Sequence, residues 1–155
     1  MGALTSRIPT LRLPPAAAIA AVAVALLGSG SATGCGSGPS MPAAVAMAGQ
    51  PVPTARLLEI ADGICTAARQ APADTEAARR SFFGQSHDGI HLIARGLDTL
   101  DRKASATLLE AKQKVEADFL NPPPGSEIAA DLRRLAAQTR SSLARFKVRA
   151  PACPS

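Results

Sequence analysis

The chain has no tryptophan and no tyrosine, and only four phenylalanines among its 155 residues. A platform that stacks nucleobases on aromatic rings is therefore excluded. Also missing are a Cys-x-x-Cys pair, a Gly-x-Ser-x-Gly elbow, a Gly-rich phosphate loop and a His-Glu-x-x-His motif. Their absence leaves no signature of dithiol redox, α/β-hydrolase, nucleotide-hydrolysing or metalloprotease chemistry. Covalent haem attachment goes with the missing Cys-x-x-Cys-His. No apolar run of period two bounded by turns occurs, so no sheet is expected.

Charge is modest. Seventeen basic and twelve acidic side chains give a net charge of +5, which falls to +3 without Arg7 and Arg12. A surplus this small attracts anionic surfaces loosely and is not the footprint of a nucleic-acid binder. Arg79-Arg80 and Arg133-Arg134 read as solvated faces that could meet acidic partners.

The first residues carry the clearest pattern. Arg7 and Arg12 precede an apolar run from Leu13 to Leu27, then small residues from Gly28 to Gly34, then Cys35. A basic head, an apolar middle and a small-residue zone make an export signal. The run is shorter than the ~20 apolar residues that span a bilayer, and Pro14 and Pro15 open it. The junction Ala32-Thr33-Gly34-Cys35 resembles the lipobox of bacterial lipoproteins, although Ala32 stands where leucine is usual. The resemblance implies removal of residues 1–34 and a diacylglycerol on Cys35. It also implies attachment to the outer face of the cytoplasmic membrane, or to the periplasmic side where there are two membranes. The alternative is cleavage by an ordinary signal peptidase after Gly30-Ser31-Ala32.

Residues 35–53 read as a flexible tether. Gly36 to Pro53 is uncharged and dominated by glycine, proline, serine and small apolar residues, a composition too poor in burial to order itself. Extended, it would reach on the order of 60 Å.

Residues 54–155 read as an all-α domain, a small up-down four-helix bundle. Thr54 is a natural N-cap for a helix to about Gln70, its inner stripe Leu57, Ala61, Ile64 and Ala68. Asp74 caps a second helix to about Leu100, with Phe83, Ile90, Ala94 and Leu97 inward. Gly89 and Gly96 lie on one flank of it, placed for close approach of a neighbour or for a kink. Asp101 caps a third, from about Arg102 to Leu120, with Leu108, Ala111, Val115 and Phe119 inward and Glu110, Lys112, Lys114 and Glu116 toward solvent. One continuous helix from Asp74 to Leu120 is the rival reading. After Pro122-Pro123-Pro124-Gly125, Ser126 caps a fourth helix, with Ile128, Leu132, Leu135, Thr139, Leu143 and Phe146 inward.

Three cysteines is an odd count for an exported chain. Lipid on Cys35 would leave Cys65, on the inner stripe of the first helix, and Cys153, in the tail, as a structural disulfide.

The only histidines, His87 and His91, stand at i and i+4 on one helical face. Imidazoles at that spacing can hold Zn or Cu if carboxylates complete the site, with Glu59, Asp62 and Glu110 as candidates. The alternative places His87 at the boundary of the core against Phe83 and Ile90, and His91 in solvent. The sequence thus points to an exported, lipid-anchored, non-enzymatic accessory protein of the cell envelope. It would need no cofactor and bind no nucleic acid, and its partners would be the membrane, through Cys35, and an envelope protein. The alternative function is a metal- or cofactor-binding carrier using His87 and His91.

Overall fold

The computed structural model describes residues 41–154; the apolar leader, Cys35 and the first part of the expected tether lie outside them. The described chain is mostly helical, with four helical rods and a small two-stranded sheet. A hairpin of β1 (Ala44–Met47) and β2 (Gln50–Pro53) leads into α1 (Thr54–Gln70). The second rod runs from α2 (Thr75–Ser81) through a π-helical segment (Phe82–Ser86) into α3 (His87–Asp98). α4 (Arg102–Leu120) and α5 (Gly125–Arg145) follow. No helix among the described residues is long and apolar enough to cross a membrane.

Two of the expected caps form. Asp74 Oδ1 accepts from the Ala77 N–H at 2.8 Å, and Asp101 Oδ1 accepts from the Ala104 N–H at 3.0 Å. Asp101 thereby separates the second rod from α4. The other two caps differ. Pro53 and Pro124 occupy the cap positions, and Thr54 and Ser126 fall inside their helices. The Thr54 hydroxyl instead donates to the Pro42 carbonyl. α5 starts at Gly125, where the close approach of the α1 end requires glycine: a Cβ there would lie 2.2 Å from the Ala71 carbonyl oxygen.

The larger correction concerns the tether and the missing sheet. From Ala44 to Pro53 the chain is a hairpin paired Val45↔Val52 and Met47↔Gln50, not a free linker. Ala48 and Gly49 make its two-residue loop with φ of 50° and 80°, the doubly left-handed geometry of tight hairpins. An isolated two-stranded hairpin is marginal in water. This one is held because alternate residues reach the core. Met47 is fully buried, Val45 and Val52 nearly so, and Met47 and Phe146 both lie against Gly96 of α3.

The rods close into a ring: α1 packs on the second rod and on α5, and α4 packs on α3 and α5. The expected inner stripes supply the core through Leu57, Ile64, Ile90, Leu97, Leu108, Val115, Ile128, Leu132, Leu135 and Leu143, all fully buried. Between α1 and the second rod the approach is close enough to need glycine. A Cβ on Gly89 would sit 2.3 Å from Ile60 Cγ1, and one on Gly63 would sit 2.4 Å from Ser86 Oγ. Beyond α5, Lys147 turns the chain with φ of 62°, and the tail returns to join Cys153 to Cys65. Their Cα atoms are 5.1 Å apart and 88 positions separate them in sequence.

Candidate functional site

Three of the four phenylalanines and both histidines gather on one seam. In the π-helical segment the His87 N–H bonds the Phe82 carbonyl five residues back, which inserts one extra residue into the helical repeat. The insertion is braced from outside: Ser86 is fully buried and its hydroxyl donates to the Ile60 carbonyl of α1 at 2.8 Å. It also rotates the residues before it. Phe82 becomes fully buried, while Phe83, expected inward, is 40 % exposed. The 3.6-residue repeat that placed Phe83 in the core cannot register this extra residue.

Around Phe83 the rings are in contact. Its centroid lies 5.2 Å from that of His87 and 6.0 Å from that of Phe119, and the Arg79 guanidinium carbon lies 5.9 Å above it. Phe82 stands edge-on to Phe83 at 5.1 Å. His91 stands edge-on to His87, with centroids 5.3 Å apart. The i, i+4 spacing therefore does bring the two imidazoles together.

Both nitrogens of His87 already have partners. Nδ1 is 2.9 Å from Asp88 Oδ1, and Nε2 is 2.8 Å from Glu116 Oε1 on α4. The same Glu116 oxygen accepts from Lys112 Nζ at 2.7 Å. Lys112 is only 3 % exposed, which corrects the expectation that it faces solvent. Position 112 is one helical turn past Leu108 and lies on the seam with α3. Its stem packs there, and its ammonium remains buried because Glu116 neutralises it.

These contacts move proton affinities. Burial pushes the Glu116 carboxyl up, but hydrogen bonds from Lys112 and His87 outweigh it and hold Glu116 below its usual range. The hydrogen bond with His87 lowers Asp88. His91 is lowered by desolvation first, then by electrostatic repulsion from its neighbours Lys112 and His87.

The expected metal ligands do not converge. Glu59 pairs with Arg56 on the exposed side of α1. Glu110 lines a separate groove with Lys114 and Asp131 between α4 and α5. Among the described residues no group of three or more His, Cys, Asp or Glu side chains is placed to hold a metal ion. Glu116 was not foreseen as the partner of His87, because that pairing depends on the register of α4 against α3. Below His91 a groove of about 200 Å³ opens between α3 and α4, lined by His91, Ala94, Arg95, Asp98, Ser105 and Leu109. Its one hydroxyl, Ser105, is spent on the Ala94 carbonyl at 2.9 Å. Comparison with protein-family models, curated proteins and solved structures finds no match.

Proposed function

We propose that the protein is an exported, non-enzymatic accessory of the cell envelope. It is held to the membrane by lipid on Cys35 and presents one face of an up-down four-helix bundle to a partner protein. The observation that carries this reading is the Cys65–Cys153 bond. Disulfides persist in oxidising compartments outside the cytosol, and this one uses two of the three cysteines. The odd one is Cys35, at the end of the small-residue zone where a lipobox would place the acylated residue. The removal of residues 1–34 and the outward-facing location follow from the same reading.

The face offered to a partner is the ring cluster. Among the described residues, Phe83 and Leu120 are two of the four large apolar side chains left exposed, at 40 % and 79 %. Phe83 sits in the π-helical segment, a distortion often found at functional sites. Fatty-acid labelling and crosslinking test the two halves. Cys35→Ala abolishes incorporation of a labelled fatty acid, and a photo-crosslinker at position 83 recovers one reproducible neighbour in intact cells. A native protein that takes up no fatty acid, or a crosslinker that recovers no recurrent neighbour, contradicts the reading. The metal-carrier alternative has no geometric support, because carboxylates already engage both nitrogens of His87.

A further inference from the structure

The end of the bundle where the described chain begins carries an unbalanced charge. Met41 lies against the C-terminal tail, its sulfur accepting from the Arg149 N–H at 3.3 Å. The α3–α4 turn joins the same end, because the Arg145 guanidinium pairs with Asp101 at 3.1 Å. Lys103, Lys147 and Arg149 are exposed here, and none has a carboxylate partner within ion-pair distance among the described residues. From residue 125 onward the sequence holds six basic side chains and two acidic ones, Glu127 and Asp131. Two of the exposed large apolar side chains, Met41 at 42 % and Leu100 at 62 %, also stand at this end.

The hairpin adds a distance argument. Because residues 44–53 fold back onto the core, the stretch between Cys35 and the bundle shrinks to the six chain steps from Cys35 to Met41. Fully extended they span about 20 Å, a third of what the whole tether would have reached. A lipid on Cys35 therefore keeps Met41, and the basic tail beside it, within about 20 Å of the headgroups, about 2.5 Debye lengths at physiological salt, and a less extended stretch brings them closer. Exposed cations flanked by apolar side chains suit an anionic bilayer surface.

We propose that the end bearing Met41, Leu100, Lys103, Lys147 and Arg149 docks on the anionic bilayer in which Cys35 is anchored. This rests on the lipid anchor proposed above. Docking fixes the orientation of the bundle, so that the anchor is not a loose leash.

The absence of tryptophan and tyrosine makes the test clean, since one introduced tryptophan reports alone. Leu100→Trp and Leu120→Trp variants of the lipidated protein are placed in vesicles with brominated acyl chains. The vesicles contain phosphatidylcholine alone or mixed with phosphatidylglycerol. The expected result is blue-shifted, quenched emission from Leu100→Trp on the anionic vesicles only, and unquenched emission from Leu120→Trp on both. Adding Lys103→Glu, Lys147→Glu and Arg149→Glu brings Leu100→Trp down to the Leu120→Trp level. Each charge neutralised is worth roughly a five-fold loss in the docked-to-undocked ratio. High salt on the unaltered charges gives the same loss without risk to folding. Equal quenching at the two positions, or quenching indifferent to charge reversal and salt, overturns the docking; capture by an acidic protein instead would give that result. Flotation with neutral vesicles separates the two proposals. A chain that floats but fails the quenching comparison keeps its anchor and loses its docking, and one that does not float loses the anchor and the docking with it.

Discussion

The second rod has two seams built on opposite principles. Toward α1 it is apolar and tight, with Gly63 and Gly89 admitting Ser86 and Ile60 so closely that a single methyl group would collide. Toward α4 it is ionic, with His87, Glu116 and buried Lys112 joined through one carboxylate oxygen and His91 beside them. The first seam depends on shape and is indifferent to pH. The second depends on charge and tolerates small changes of shape at its exposed edge. Geometry fixed on one side allows a titratable, partly open surface on the other.

The largest effect belongs to the α1 side of the molecule. Replacing Cys65 and Cys153 by serine opens a loop of 88 residues. In the chain-entropy account this costs about 4–5 kcal/mol, measurable as a drop in the urea midpoint. Phe82→Ala comes next, at about 3–5 kcal/mol for a fully buried ring, whereas Phe83→Ala costs less than about 1 kcal/mol. Equal costs would mean that the π-helical segment does not set the register of the rod.

Glycine substitutions sharpen the contrast at smaller scale. Gly89→Ala forces a methyl group against Ile60 and is expected to destabilise by roughly 1–3 kcal/mol. Gly84→Ala, where a Cβ meets nothing within 4 Å, is expected to stabilise by about 0.4–1 kcal/mol. Both are read from thermal or urea unfolding.

The smallest effect is the pH response of the ionic seam. His91 has a lowered proton affinity in the fold, so its contribution is present above the ordinary histidine value of about 6.5 and fades as the pH falls through it. Glu116 and Asp88 are also lowered. Their contributions are present above the ordinary carboxylate range and are lost below it. Stability should therefore decline in two stages on acidification, and His91→Gln should remove the first stage only. A single stage in the unaltered protein, or two in the variant, breaks the assignment.

Local chemistry was legible in the sequence wherever it acts alone. Asp74 and Asp101 cap their helices, Pro122-Pro123-Pro124 ends α4, and the apolar stripes of α1, α4 and α5 face inward as their spacing requires. What could not be read depends on contacts across the fold. The strand Ala44–Met47 consists of small residues and one methionine, and two prolines interrupt its partner, so neither carries a strand signature. They pair because Met47 finds a slot beside Gly96. The π-helical segment exists because Ser86 bonds Ile60 on another helix, and no local spacing announces that. The histidine pair was visible, but its carboxylate was not. Glu116 lies 29 positions from His87, and only the register of α4 brings them together.

The intact mass of the protein extracted from its native membrane tests the central claim most directly. A chain that begins at Cys35, carries a diacylglycerol and is two hydrogen atoms lighter for one disulfide is the predicted result. A water-soluble product without lipid, or a chain retaining its first 34 residues, would contradict it.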